Sequence, residues 1–292
     1  MNSQHPPSSV ERSMLHAVWQ RAGLFSEADF DPRINSGSDA LMLQSLGIRF
    51  RTAHSEVPEL STSAEPVSRW RDISVGTNLD QLRGLIGNMR VIPFADWSDV
   101  HHAADIWYGL LADIIRPLAR NDWEFIFYIG NPVNRHFFDL DEALDVIGSF
   151  SRTGNVTLAL DELEAHSLWA LLFGGKPVSE FGLQHPDAYA RYRSIFQTMD
   201  VTRLIIYSDS QALLLMEGSH NAVIRPPVSA YTHNAGERAN FIEGYALGLA
   251  SGMDPAQSLA LGIATAGAVP EGSQNAAKAD VLRFLAEWLD AH

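Results

Sequence analysis

The sequence predicts an α/β protein with a mostly parallel sheet and helices on both of its faces. Short runs that are apolar almost throughout, such as MRVIPFADW from Met89, WEFIFYIGNP from Trp123 and VTRLIIYSDS from Val201, alternate with longer stretches of helical period. Strands buried on both faces read as such continuous runs, and strand–helix alternation is the pattern of a parallel sheet. A chain of 292 residues with 46% hydrophobic content is also long enough to bury a full core.

Taken in order, residues 1–12 are polar and proline-containing, a loose tail. Met14, Leu15, Val18 and Trp19 then fit a helical stripe that ends near Gly23, so residues 1–30 read as tail and helix with no apolar strand. Ser36–Asp39 looks like a helix entry, with Leu41, Met42 and Leu46 on one face and Gly47 as its stop. Residues 51–70 are rich in Ser, Thr, Glu and Pro and have little period.

From Asn88 the alternation is clear. A strand at 89–97 precedes a helix over 99–119, with Ile106, Leu110, Leu111, Ile114 and Ile115 inward. The strand from Trp123 is followed by a helix over 139–150, a strand and helix over 155–172, and the strand from Val201. Ligands of such sheets sit at the carboxyl ends of the strands.

The stretch Asn234–Ala268 reads as two helices joined by a short turn. Gly244, Gly248 and Gly252 recur every fourth residue, which predicts one bare stripe along the first helix. Each helical glycine costs ~1 kcal/mol against alanine, so close approach of a backbone or ligand should offset it. Phe241, Tyr245 and Leu249 are expected to face inward, and Asp254 with Pro255 marks the start of the second helix.

Composition excludes several classes. There is no cysteine, hence no disulfide or thiolate metal site. No apolar run approaches the ~20 residues of a membrane span, and the N-terminal residues lack the apolar core of a signal peptide, so a cytoplasmic protein with no membrane partner is expected. A net charge of −14 with no basic face argues against nucleic acid. The eleven histidines are scattered, and adjacent His101 and His102 diverge on a helix, so no zinc site is expected. No Walker-type loop or Ser–His–acid order is present.

The segment from Asn234 resembles the C-terminal signature of the PfkB, or ribokinase-like, carbohydrate kinases. That signature runs glycine-x-glycine-aspartate, a short apolar run, a glycine and a helix pair. Aligned on Phe241, Gly244 and Tyr245, Gly236 matches the first glycine, Arg238 falls on the second, and Ala239 falls on the catalytic aspartate. Residues 34–47 resemble the family's glycine-rich sugar motif, with Gly37 kept and Ser38 in place of asparagine beside Asp39. Ala95-Asp96-Trp97-Ser98 echoes an asparagine–tryptophan–serine step. Phe127, Asn131, Pro132 and Arg135 echo a further segment, with Tyr128 where it carries aspartate.

The resemblance implies a ribokinase-like three-layer α/β/α sandwich over residues 31–292, with a truncated N-terminus and with residues 48–75 as a lid remnant or a loop. It places Gly37, Ser38, Asp39 and Trp97 at the sugar, and Gly236, Arg238, Ser208, Gln211 and Ile263 at the nucleotide and anion loop. Asp161 and Glu164 fall on the motif that organises Mg²⁺ and phosphates. Two carboxylates three residues apart suit Mg²⁺ through oxygen, and equally suit a helix start.

Glu237, two residues before Ala239, is the only carboxylate in the loop that could replace the base, and a displacement of that size argues against it. The implied protein is a diverged pseudokinase that binds a sugar- or nucleoside-like small molecule, a protein partner or a second copy of itself. The alternative is an active ATP- and Mg²⁺-dependent sugar or nucleoside kinase with an unusual base.

Overall fold

The computed structural model describes residues 9–30, 46, 48, 69–76, 78–94, 97–98, 100–174, 186–208, 211–224, 226, 235–270, 273 and 276–291. Gly37, Ser38, Asp39 and most of the expected 51–70 loop lie outside them. The protein is mixed α/β, with a six-stranded, mostly parallel sheet and helices around it. It divides into two compact units, residues 33–208 with 215–220, and residues 1–32, 209–214 and 221–292.

In the larger unit β1 (Val91–Pro93), β2 (Trp123–Phe127), β3 (Gly154–Asp161) and β4 (Arg203–Tyr207) pair in parallel, in chain order. Their apolar runs leave β1 and β2 buried along their whole length. Phe125 and Phe127, two residues apart on one pleat face, meet Phe94 and Phe150; Phe94 and Phe127 stack at 4.3 Å with their planes 1° apart. Trp107 closes the cluster edge-on, 5.1 Å from Phe127. Glu124, the residue before Phe125, faces the other way and forms a buried ion pair with Arg203 at 2.5 Å, with Asn155 Nδ2 donating to the same carboxylate at 2.9 Å.

The helix predicted over 99–119 forms as α5 (Ala103–Leu110), a π turn (Leu111–Ile115) and a 3₁₀ turn (Arg116–Leu118). Its neighbours explain the break. They are α3 (Trp70–Gly76), which corrects the expectation of a lid remnant or loop over 48–75 at its C-terminal end, where Trp70 seats a helix against α5, and α4 (Leu79–Gly87), for which the sequence predicts no element. Arg83 of α4 donates through Nε and Nη2 to the Asp113 carbonyl at 3.3 and 3.1 Å, and Trp70 Nε1 donates to the Asp113 carboxylate at 2.7 Å. The indole of Trp70 lies so close on Gly109 that a Cβ there would fall 2.0 Å from the ring. Among the described residues the other helices of this unit are α6 (Phe137–Phe150), α7 (Glu162–Phe173) and α8 (Pro186–Thr198).

Two strands follow, β5 (Gln211–Met216) and β6 (Ser219–Ile224), joined at Gly218, which takes φ 70°. The sheet order is β1-β2-β3-β4-β5-β6. The strand expected to run to Ser210 ends at Tyr207.

The smaller unit holds α1 (Ser9–Gly23), α2 (Glu27–Phe30), α9 (Ala235–Ala250), α10 (Pro255–Gly267) and α11 (Lys278–Asp290). Among the described residues before 31 there is helix and no strand. Leu15, Val18 and Ala22 of α1 are buried, and α1 packs on α10 and α11. Arg21 Nη2 donates to the Ser251 carbonyl at 2.5 Å, and Lys278 Nζ donates to that of Phe25.

Phe241, Tyr245 and Leu249 are buried as expected, and Asp254 caps α10 in a complete capping box with Gln257. The glycine stripe is corrected in one member. Gly252 lies beyond the end of α9, in the turn, at φ 79°, where a Cβ would meet only the end of the Arg21 side chain, at an ordinary 3.8 Å; a left-handed turn, not close packing, accounts for it. The third close approach comes instead from α10. A Cβ at Gly244 would lie 2.8 Å from the Leu261 carbonyl, one at Gly248 2.7 Å from Ser258 Cα, and one at Gly262 2.8 Å from the Phe241 carbonyl.

Candidate active site at the carboxyl edge of the sheet

The parallel register brings several candidate residues of the larger unit to one edge. β1 continues past Pro93 alongside β2: Phe94 N–H donates to Ile126 O at 2.7 Å, Trp97 N–H to Tyr128 O at 3.2 Å and Ser98 N–H to Ile129 O at 3.1 Å. Trp97 is thereby buried at the end of β1. Arg135 lies over its ring, with Cζ 4.4 Å from the centroid, and donates through Nη1 to the carbonyls of Trp97 at 2.7 Å and Val100 at 3.1 Å. Asn131 opens a 3₁₀ turn (Pro132–Asn134) by accepting from Val133 N–H at 3.2 Å. The echoes at Trp97 and Arg135 therefore meet, and Asn131 caps the turn that leads into Arg135. Tyr128, in the aspartate's place, is buried.

Asp161 ends β3 opposite Tyr207, the last residue of β4, and Ser208 follows directly. Asp161 caps α7: its Oδ1 accepts from Glu164 N–H at 2.7 Å, and Glu164 Oε2 accepts from Asp161 N–H at 2.9 Å. Glu164 is 3% exposed. One oxygen of each carboxylate thus serves the helix start, and among the described residues no three metal-ligating side chains gather. As a dedicated Mg²⁺ site the pair fits poorly, because its carboxylates are engaged in capping α7.

One turn on, α7 carries a polar cluster the sequence did not signal. Tyr192 of α8 is fully buried, its hydroxyl 3.3 Å from His166 Nε2 and donating to Glu162 Oε1 at 3.5 Å. Burial, reinforced by the Glu162 carboxylate, raises the Tyr192 phenol well above its ordinary value. Only the aromatic at 192 and the histidine at 166 hint at it, and neither has a spacing that marks a buried pair.

In the smaller unit Gly236, Glu237, Arg238 and Ala239 lie in the opening turns of α9. Arg238 and Ala239 are half-buried. Gln211 opens β5, and Ile263 is buried in α10.

Residues 62–288 match the model of the prokaryotic ketohexokinase family. The chain belongs to that family. No curated protein matches it. Among solved structures it is similar to the ribokinase of Arabidopsis thaliana in complex with ribose and ATP, at 14% identity over 70% of this chain and 59% of that one, TM-score 0.50. A carbohydrate kinase from Agrobacterium tumefaciens matches at 15% identity over 75% and 60%, TM-score 0.50. The ribokinase of Thermotoga maritima matches at 19% identity over 59% and 52%, TM-score 0.44. At these identities the likeness is one of fold, and the chain spans 52–60% of the length of these three relatives. Among the described residues no helix is long and apolar enough to cross a membrane.

Proposed function

We propose that this family member binds a sugar-like polyol at the carboxyl edge of its sheet and has lost efficient phosphoryl transfer from ATP. What carries the reading is the opening of α9, where Arg238 and Ala239 stand on the positions the resemblance gives to a glycine and the catalytic aspartate. A helix start keeps its unpaired amides whatever its side chains are, so an anion can still be held there. A base cannot be supplied by backbone. General-base help is worth ~100- to 10,000-fold, so its loss leaves the sugar hydroxyl protonated and the reaction near background. Arg238 adds a bulky cation where small size would let amides reach the phosphate.

The polyol side is supported by Trp97 and Arg135, held together at the ends of β1 and β2. ATP and Mg²⁺ belong to the alternative, an active sugar or nucleoside kinase, which family membership favours and the capping role of Asp161 and Glu164 does not.

A coupled ADP-release assay across sugars and nucleosides tests the choice. Turnover at background in the wild type and in Glu237→Ala is expected, with a gain in the double variant Arg238→Gly, Ala239→Asp. Robust wild-type turnover that vanishes in Glu237→Ala would overturn the reading and assign the base to Glu237. Thermal shift with the same panel reads binding separately, since ligand at ~100 times Kd stabilises by about 2.7 kcal/mol.

A further inference from the structure

We propose that the open depression beside the Trp97–Arg135 pair, lined by His101, Val133, Arg135, His136 and Asp139, binds the anionic group of a polyol, a sugar phosphate or sugar acid. The inference deepens the proposed function and rests on it for the polyol; the anion contacts stand on their own geometry. In a chain with 35 acidic residues against 21 basic ones, three nitrogen-bearing side chains converge on this one cavity of about 440 Å³.

Arg135 is the fixed element. Its Nη1 is spent on two backbone carbonyls and its plane is set by the buried Trp97 ring, so the guanidinium is preorganised. Among the described residues no protein acceptor takes its Nε or Nη2, and that edge of the fork has the geometry for a carboxylate or phosphate. His136 precedes α6 at the cap position, yet its imidazole makes no capping bond and remains for a ligand. His101 is delivered by a backbone under strain: the next residue, His102, sits at φ 56°, ψ 31°. Such left-handed residues recur where structure is held for function.

Asp139 gives the ligand its mixed character. A bare anion gains nothing from a carboxylate on the wall, whereas a hydroxyl donates to it. A cavity of this size suits a small ligand carrying both groups.

The test is calorimetric titration of the full chain, without nucleotide, using glucose 6-phosphate, gluconate, glucose and inorganic phosphate. Variants are His101→Ala, His136→Ala and Arg135→Lys, with circular dichroism as the folding control. His101 and His136 are exposed, so their variants should fold. Glucose 6-phosphate or gluconate should bind at least ten times tighter than glucose, and each histidine variant should lose about tenfold; the tighter of the two names the source of the anion. Arg135→Lys keeps the charge but loses the fork, and should weaken gluconate as well.

Glucose binding as tightly as its anionic derivatives overturns the inference and leaves the sugar-site reading standing. Inorganic phosphate binding as tightly as glucose 6-phosphate removes the polyol and with it both readings. Affinities unchanged in all three variants place the anion elsewhere and overturn the inference.

Discussion

The two units bury their cores by opposite means. The larger one fills space between sheet and helices with bulk: Phe94, Phe125, Phe127, Phe150 and Trp107 touch one another around the ends of β1 and β2. The smaller one removes bulk, so that α9 and α10 approach over Gly244, Gly248 and Gly262 until backbone meets backbone or a short hydroxyl side chain. A core made of large side chains is damaged by making them smaller, and a seam made of glycines by making them larger. The sign of a tolerated substitution should therefore reverse between the two units.

The largest effect is expected in the aromatic cluster. Phe127 is fully buried and contacts three rings, so Phe127→Ala should cost about 3–5 kcal/mol, read by denaturant unfolding. Collapse of the neighbours into the space would show as a smaller loss and would blunt the contrast. Next comes the seam. Gly248→Ala adds one carbon 2.7 Å from Ser258 Cα, which is backbone and cannot turn aside, so a loss of about 1–3 kcal/mol is expected. Gly23→Ala, with nothing within 4 Å of the added carbon, serves as the control on a helix end. Equal stability of the Gly248→Ala and Gly23→Ala variants would show that the seam yields.

The capping boxes sharpen the comparison, because each unit has one. Asp161 with Glu164 opens α7, and Asp254 with Gln257 opens α10. Asp161→Ala and Asp254→Ala should each cost ~1 kcal/mol as lost caps. If capping is the whole role of Asp161, added MgCl₂ shifts the melting temperature of wild type and Asp161→Ala alike. A Mg²⁺-dependent gain in wild type that Asp161→Ala abolishes would make it a ligand.

Much of this was legible in the sequence, for reasons that differ by residue. The apolar runs at Val91, Trp123 and Val201 announced parallel strands because a strand buried on both faces leaves no polar period. Asp254-Pro255 announced a helix start because a cap and a proline at the first position are local chemistry. The Gly252 error has a local cause too: spacing of four does not distinguish a seam glycine from one that ends the helix at positive φ. The π turn was not legible, because it depends on Arg83 and Trp70 arriving from residues far away in sequence. At the candidate site, single-residue echoes located Trp97 and Arg135, while their stacking needed the alignment of two loops. The Tyr192 cluster joins two helices through side chains alone, which no periodicity records.

That cluster gives the smallest effect at neutral pH and a definite sign at high pH. The Tyr192 phenol is raised above its ordinary value because burial penalises the phenolate and Glu162 adds its charge. The folded state therefore keeps a proton that the unfolded chain releases above about pH 10. The stability tied to this proton is fully present below that pH and is lost as pH rises beyond it. Tyr192→Phe should cost about 0.5–1.5 kcal/mol at pH 7, the net value of a hydrogen bond, with the His166 ring losing its hydroxyl neighbour. Above pH 10 the variant has no phenol to ionise, so its stability should fall less steeply than that of the wild type, and the two curves should converge. Urea unfolding at pH 7, 9, 10 and 11 measures both slopes. Parallel curves across that range would mean that Tyr192 ionises as readily in the folded protein as in the unfolded chain, and that its burial between α7 and α8 is not what holds the proton.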